Sequence, residues 1–278
     1  MKLHSHRYGK AKVRVFKKVQ QDGVHTPKEL DITTLLEGDF GASFTKDDNR
    51  QVVATDTIKN TINFLAHQQL GSETEPFAIA LTVHFLKRYS HVTSVMVETL
   101  ERVWERLTVD GKPSPTNFIS SGKGVPWTRT IANANGTETT SGIRDLVILK
   151  TSGSAWEGFW RDELTTLPET NDRLLATSLT SHWLYGTAPA SYAAANARII
   201  EVMLEVFASR YSPSVQATLY HMGEAALKAC PEINRISLTM PNLHYLLIDL
   251  KPFDRANNNE LFVPTDAPSG WIEATVAR

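Results

Sequence analysis

The sequence predicts an α+β protein with antiparallel sheets, built from two copies of one ββααββ unit. Its 278 residues are enough for two ordinary domains. Short matches recur at one offset, because residues 49–55 (N-R-Q-V-V-A-T) resemble residues 171–177 (N-D-R-L-L-A-T), 122 positions later. The same offset relates H-F-L-K-R-Y-S at 84–90 to V-F-A-S-R-Y-S at 206–212. In each half, strand-like segments flank two segments with helical spacing.

The first copy begins with two strand-like segments. Apolar and polar residues alternate in residues 12–19 and 29–40, and this pattern predicts strands. Apolar residues recur every three or four positions in residues 51–70, which predicts a helix. Residues 73–89 begin with acidic residues and a proline and predict the second helix. The β-branched residues 91–107 then predict a return to the sheet.

The second copy is predicted to repeat this order. Residues 146–151 are strand-like, and helices are predicted at 172–185 and 193–211. Strands are then predicted at 214–227 and 233–250, in keeping with the order of the first copy. Each predicted copy therefore places strands on both sides of a helix pair, which is typical of an α+β fold.

A connecting segment rich in Gly, Pro, Ser, Thr and Asn separates the copies at residues 110–142. We predict a hairpin within it at residues 117–131. The dipeptide Asn135-Gly136 is typical of a tight turn and marks the expected boundary. The sequence therefore predicts one unit at residues 1–135 and a second at 136–278.

Composition excludes several classes of protein. Lys and Arg number 29 against 30 Asp and Glu, for a net charge of −1, so the chain lacks the basic excess of nucleic-acid or polybasic membrane binders. No apolar stretch approaches the roughly 18 residues of a spanning helix. The N-terminus has no apolar signal-peptide core and the C-terminus has no peroxisomal signal. We therefore expect a cytoplasmic protein with no nucleic-acid or membrane partner.

The usual signatures of cofactor and nucleophile chemistry are missing from the sequence. Nine histidines occur without the spacing of a metal site, and there is no phosphate loop or G-x-S-x-G elbow. The single Cys230 excludes an intrachain disulfide, and a buried, inert thiol is the favoured interpretation. We therefore expect neither a metal nor an organic cofactor.

A few polar residues lie in unusual surroundings. Asn242 and His244 enter an apolar strand two positions apart, so both side chains project from one face. The alternative for His244 is an ordinary core or edge histidine. Arg173 precedes a predicted helix, where it is either solvated or aimed at an anion together with the helix N-terminus. Lys10, before the first strand, has the ordinary interpretation of a solvated charge.

Five segments, in this order, resemble the urate oxidase (uricase) family. They are R-Y-G-K-A-K-V-R-V at 7–15, V-V-A-T-D-T-I-K-N-T at 52–61, F-W-R-D-E-L-T-T-L-P-E-T-N-D-R at 159–173, S-V-Q-A-T-L-Y at 214–220 and P-N-L-H-Y at 241–245. The resemblance extends over nearly the whole chain, from Arg7 to Arg278, and the combination of segments is specific.

The resemblance implies a fold and an activity. Uricases consist of two tandem tunnelling-fold units, each ββααββ, and two subunits close a sixteen-stranded barrel. Two barrels stack into a homotetramer with a central tunnel and with active sites at subunit interfaces. The family oxidises urate with dioxygen and water to 5-hydroxyisourate, releasing hydrogen peroxide, without a metal or organic cofactor. The expected partners of this chain are therefore urate, dioxygen and its own copies.

The resemblance also implies how urate is held. Arg173 would pair with the anionic pyrimidine side of urate through its planar fork. Gln216 would bind the opposite edge, together with the backbone of Val215. Thr55 and Asp56 would contact the ligand from a neighbouring subunit.

The remaining implied residues concern stacking and chemistry. Asn242 and Thr55 would hold dioxygen, peroxide or the attacking water over the ring. Lys10, Thr55 and His244 would form a proton relay, in which burial lowers the lysine pKa. The family usually stacks a Phe on urate, whereas the aligned residue here is Trp156. Participation of Phe159 in its place, or core packing by either ring, is the alternative.

Two other functions compete with this hypothesis. One is a purine or pterin enzyme of the same fold, but such enzymes anchor the ring with a glutamate, where this chain has Arg173 and Gln216. The other is a catalytically silent oligomer that kept the fold. A degenerate site would be expected to lose some of the residues that this chain keeps, namely Lys10, Thr55, Asn242 and His244.

Overall fold

The computed structural model describes the backbone of the whole chain and the side chains of residues 1–20, 22–265 and 267–278. The chain divides into two compact units, Met1–Gly142 with Leu184–Ala193 and Ile143–Trp183 with Ala194–Arg278. Helices and antiparallel strand pairs occur in both, which confirms the predicted α+β class. The predicted boundary between residues 135 and 136 stays a prediction. Across the described residues, no helix is long and apolar enough to cross a membrane.

The elements that begin in the first 142 residues follow the predicted order. They are β1 (Tyr8–Gln21), β2 (Val24–Gly38), α1 (Gly41–Thr45), α2 (Thr55–Gln69), α3 (Thr74–Arg88), β3 (Val92–Arg102), β4 (Trp104–Val109), β5 (Lys112–Ser120), β6 (Val125–Asn133) and β7 (Gly136–Lys150). The strands β1, β2, β3, β6 and β7 are neighbours in this order. β4 and β5 pair separately as a two-stranded sheet.

One face of the first unit's sheet is covered by its two long helices. Alternate residues of β2 are buried, as the two-residue period of a strand requires. α2 packs against β1, and α3 packs against β3 and β6. The core combines aliphatic and aromatic side chains from these elements, including Leu30, Ile32, Leu36, Ile58, Ile62, Phe77, Leu81 and Phe85. The predicted strands and helices of the first copy are therefore confirmed.

The remaining elements form the second copy. They are β8 (Leu175–Tyr185), α4 (Tyr192–Ser209), α5 (Val215–Ala229), β9 (Ile233–Thr239), β10 (Asn242–Leu247), a 3₁₀ turn (Lys251–Phe253), β11 (Phe262–Gly270) and β12 (Glu273–Ala277). In the second unit β7, β8, β10 and β11 are neighbours in this order, while β9 pairs with β8 and β12. α5 packs against β9 and β12.

Two predicted elements of the second copy are wrong. Residues 172–185 contain strand β8 and not a helix, because pairing with β10 outweighs the helical preference of their Leu and Ala residues. Residues 214–227 lie mostly in helix α5 and not in a strand. Their buried positions recur at helical spacing, as in Val215, Leu219 and Met222, and the frequent Ala and Leu residues also favour a helix.

The connecting segment also differs from its prediction. Residues 117–131 do not form a hairpin, because β5 pairs with β4 and β6 pairs with β3. The tight turn at Asn135-Gly136 is confirmed, since Asn133 Oδ1 accepts a hydrogen bond from the Asn135 N–H (2.8 Å) and Gly136 has φ 125°. It joins β6 to β7.

The predicted offset of 122 between the copies does not relate equivalent elements. Thr55 begins helix α2, whereas its matched residue Thr177 lies in strand β8. The second helix of each pair is α3 in the first copy and α5 in the second. They begin at Thr74 and Val215, which are 141 and not 122 positions apart. The two copies exist, but the matched letters fall on different elements.

The only cysteine lies just after helix α5. Cys230 is 3% exposed, and its Sγ lies 3.2 Å from Glu232 Oε2. Burial, with a smaller contribution from Glu232, raises the pKa of the thiol to about 11. The thiol is therefore protonated at neutral pH, as expected of an inert buried cysteine.

We predict that Gly9→Ala destabilises the protein, whereas Gly71→Ala does not. A Cβ at Gly9 would lie 1.8 Å from the backbone oxygen of Thr34, so β1 would have to move away from β2. The expected loss is about 2 kcal/mol of unfolding free energy. A Cβ at Gly71 meets open space at an ordinary φ, so that variant should match wild type or gain up to about 1 kcal/mol. Urea unfolding measures both, and equal stability of the two variants would contradict the prediction.

Candidate functional site

A cavity of about 860 Å³ in the second unit collects four of the expected site residues. Trp156, Arg173, Asn242 and His244 all line it. Its volume falls in the range of small-molecule sites. The lining combines apolar side chains of β10 and of the segment before β11 with polar and charged ones, among them the carboxylates Glu169, Asp172 and Glu260.

The short segment 154–156 fixes the backbone around this cavity. The Ser154 carbonyl accepts a hydrogen bond from the Arg173 N–H (2.8 Å). The Ala155 N–H donates to the carbonyl of Ser212 (2.8 Å). Trp156 exchanges two hydrogen bonds with Thr170, of 2.8 and 3.1 Å. These main-chain bonds hold Arg173, Trp156 and the chain just before α5 next to one another.

Arg173 presents a half-buried guanidinium to the cavity. Its Nε is buried without a hydrogen-bond partner in the described part of the chain. The neighbouring Asp172 carboxylate accepts hydrogen bonds from Ser152 and Gly153. Desolvation lowers the pKa of Arg173, although an arginine stays charged at neutral pH. An unpaired, partly buried cation of this kind is suited to an anionic ligand.

The predicted helix N-terminus beside Arg173 is not there. Arg173 precedes strand β8, so no helix dipole from that segment supports an anion. The nearest helix start is that of α5, into which the chain continues from Ser212.

Asn242 and His244 lie on β10 with their side chains in contact. Asn242 Nδ2 is 3.4 Å from His244 Nδ1, which confirms that they share one face of the strand. Asn242 is 8% exposed and pairs across the sheet with Thr177 of β8 and Gly270 of β11. Its Oδ1 is buried and has no partner among the described residues. The amide therefore has a free acceptor beside the cavity.

Val215 and Gln216 form the first turn of α5, not part of a strand. The Ser214 side chain caps the helix and accepts a hydrogen bond from the Ala217 N–H (3.0 Å). The N–H groups of Val215 and Gln216 have no intrahelical acceptor because they precede the first helical bond. Gln216 is exposed. The described residues that line the cavity do not include either of them.

The remaining expected residues lie in the first unit. Lys10 lies in β1 beside an irregularity of the strand register, and Thr55 and Asp56 begin α2. Asp56 forms an ion pair with Lys59, and this contact lowers the pKa of the carboxyl. The charge of Lys10 lowers it further, so Lys10 and Asp56 are within electrostatic reach of each other. Thr55 is exposed.

One buried hydroxyl at this site was missed by the sequence analysis. Thr177 lies directly opposite Asn242 in the β8–β10 pair, and its Oγ1 has no partner among the described residues. In the sequence only the match with Thr55 pointed to Thr177, and that match pairs the start of helix α2 with strand β8. Within the described residues, no group of three or more His, Cys, Asp or Glu side chains could hold a metal ion.

Comparisons with known proteins identify one family. The family model described as uricase matches residues 6–130 and 139–273. A uricase of Arthrobacter globiformis is 37% identical, over 99% of this chain and 90% of that protein. A uricase of Cyberlindnera jadinii is 38% identical, over 99% and 97%. The crystal structure of the Arthrobacter globiformis uricase superposes with a TM-score of 0.95 at 36% identity, covering 100% of this chain and 95% of that one.

We predict that Ser214→Ala weakens helix α5 at the site. The variant loses the bond to the Ala217 N–H, so the free energy of unfolding should fall by about 1 kcal/mol. Ser209→Ala is the matched control, since the exposed Ser209 hydroxyl donates to the Glu205 carbonyl at the end of α4 and caps no N-terminus. It should change stability by less than about 0.5 kcal/mol. Chemical denaturation compares the two, and an unchanged Ser214→Ala protein would argue against the cap.

Proposed function

The chain belongs to the uricase family and is a urate oxidase, and we propose that it oxidises urate by dioxygen and water without a metal or organic cofactor. The products in this proposal are 5-hydroxyisourate and hydrogen peroxide. The observation that carries the site assignment is the pair of unpartnered buried groups at one cavity, Arg173 Nε and Asn242 Oδ1. They supply a cation and an acceptor of the kind that an anionic purine requires.

The overall reaction balances without a resident redox group. Urate loses two electrons and dioxygen gains two, and with two protons the dioxygen becomes hydrogen peroxide. Water supplies the hydroxyl of 5-hydroxyisourate, and its remaining proton joins the one released by urate. Deprotonated urate is electron-rich enough to act as the reductant. The protein then has to remove a proton, fix the geometry, and place dioxygen and water.

Two residues of the second unit would hold the two edges of urate. Arg173 would donate from its planar fork to the anionic pyrimidine side, which also gives its Nε a partner. Gln216 would bind the opposite edge through its exposed amide. The free N–H of Val215 would donate to the same edge, aided by the positive end of the α5 dipole. Trp156, on the wall of the same cavity as Arg173, would stack on the ring.

Asn242 and His244 would contact the oxygen species, water or peroxide, and take part in proton transfer. In the proposal Asn242 Nδ2 donates to His244 Nδ1, which places the ring proton of His244 on Nε2. This leaves Nε2–H as the donor and Asn242 Oδ1 as an acceptor for water or peroxide. In the proposal Thr55 completes this pocket and Lys10 is the base, with Thr55 and His244 relaying the proton.

We propose that the active protein is a homotetramer whose sites lie between subunits, with Thr55 and Asp56 contributed by a neighbour. Strand β1 supports this, because it is fourteen residues long and lies at the edge of the first unit's sheet. Leu246 and Leu247 of β10 are also largely exposed. A cytoplasmic location remains a prediction from the sequence.

The proposed chemistry predicts turnover in chelator-treated protein. The assay mixes urate with protein dialysed against chelator and follows the urate ultraviolet band, oxygen uptake and peroxide. One oxygen should be consumed and one peroxide released per urate. Loss of turnover that metal addition restores would overturn the cofactor-free proposal. An assembled protein that leaves urate unchanged would overturn the assignment of activity itself.

The proposed roles predict distinct kinetic effects. Lys10→Met and Thr55→Ala should lower kcat by about a hundredfold or more, because each removes a member of the proton relay. Arg173→Ala should mainly raise KM, roughly ten- to a hundredfold, because it removes a charged bond to urate. Steady-state kinetics measures both constants.

Matched controls lie in the same elements. Lys18→Met changes an exposed lysine of β1, and Thr57→Ala changes an exposed threonine of α2. Both should retain wild-type kcat and KM. Wild-type rates in Lys10→Met or Thr55→Ala would refute the relay, and size-exclusion chromatography checks that every variant keeps its assembly.

A further inference from the structure

The ring of Trp156, at the wall of the cavity, is stacked with the ring of Phe159. The rings of Trp156 and Phe159 are nearly parallel, with centroids 5.6 Å apart and an interplanar angle of 11°. The Arg161 guanidinium lies over the Phe159 ring, 5.3 Å from its centroid. The Arg173 guanidinium lies 5.8 Å from the centroid of Trp156. Successive contacts thus run from Arg161 through the two rings to Arg173, the arginine that we propose binds urate.

The loop that carries Phe159 is held by its own hydrogen bonds. The pairing of Trp156 with Thr170 closes the loop, and the Gly158 N–H donates to Glu169 Oε1 (3.0 Å). Arg161 Nη1 donates to the Leu167 carbonyl (3.1 Å), so the cation over Phe159 is tied to the far side of the loop. Irregular chain of this kind would otherwise be free to move.

We propose that Phe159 is a positioning residue for urate, acting through Trp156. Its ring lies nearly parallel to the indole and so restricts the plane of Trp156 at the cavity wall, where the indole would stack on the purine. An indole turns about two side-chain torsions, and a parallel neighbour restricts both. This inference rests on the proposed stacking of Trp156 on urate.

The same geometry argues against direct stacking of Phe159 on urate. The indole lies against the Phe159 ring and the Arg161 guanidinium lies over it. Trp156 also lines the cavity, whereas Phe159 is not among the described residues that line it. Of the two aromatic residues between which the sequence left the choice open, Trp156 therefore contacts the ligand and Phe159 supports it.

Urate affinity without dioxygen tests this inference, because urate then binds without reacting. Calorimetry under anaerobic conditions would compare wild type with Phe159→Leu, which keeps an apolar side chain but removes the ring. We expect roughly three- to tenfold weaker binding. Phe159→Tyr keeps the ring and should stay within twofold of wild type. The neighbouring Trp160 is 88% exposed, so Trp160→Leu is the matched control and should not weaken binding.

A double-mutant cycle separates action through Trp156 from a general structural effect. In the Trp156→Leu background, Phe159→Leu should change affinity less than twofold, because the ring that it positions is gone. Additive effects of the two substitutions, or equal weakening by Trp160→Leu, would overturn the inference. So would wild-type affinity in Phe159→Leu while Trp156→Leu binds weakly. If Trp156→Leu itself binds normally, the proposed stacking fails, and the role of Phe159 fails with it.

Discussion

Five main-chain hydrogen bonds around residues 154–156 and Ser212 hold the candidate site together. They join the segment to Arg173, to Thr170 and to the chain that leads into α5, which are distant in sequence. Backbone bonds of this kind do not use the side chains, so the indole of Trp156 and the guanidinium of Arg173 remain available to the cavity. Asp172 strengthens the arrangement, because its carboxylate accepts hydrogen bonds from the Ser152 hydroxyl and the Gly153 N–H. The Arg173 cation keeps an unpaired Nε for a ligand.

The two copies of the fold use equivalent positions differently. Counting from the first residues of α3 and α5, Glu75 in the first copy corresponds to Gln216 in the second. Glu75 is 4% exposed and accepts hydrogen bonds from Ser141 (2.6 Å) and Thr128 (3.3 Å), so its carboxylate belongs to the interior of its unit. Gln216 is exposed. A glutamate at this helix start thus serves packing in one copy, while the other copy offers an amide to solvent.

The sequence predicted the α+β class and the strands and helices of the first copy, because local pattern and tertiary packing agree there. They disagree in the second copy. The segment around Leu175 has helix-forming residues but is a strand between two others, and pairing decides its structure. The segment from Val215 was predicted as a strand, but it contains frequent Ala and Leu and buries positions at helical spacing after the Ser214 cap.

The candidate site was predictable only in part for a related reason. Family resemblance names residues, whereas their grouping depends on long-range backbone contacts that no local pattern encodes. Main-chain hydrogen bonds to Thr170 and Ser154 bring Trp156 and Arg173 together. The spacing of the two residues in the sequence does not predict this contact. Thr177 had no chemical signature at all, since a threonine in an apolar strand looks like any other until its partner Asn242 is known.

Burial of Cys230 matters for a protein that we propose releases peroxide. Peroxide oxidises the thiolate and not the thiol, and the products beyond sulfenic acid are largely irreversible. With a pKa of about 11, only about one Cys230 side chain in ten thousand is ionised at neutral pH, and that side chain is 3% exposed. Protonation of the thiol and its burial at the end of α5 thus both protect Cys230 from the peroxide that we propose the protein releases.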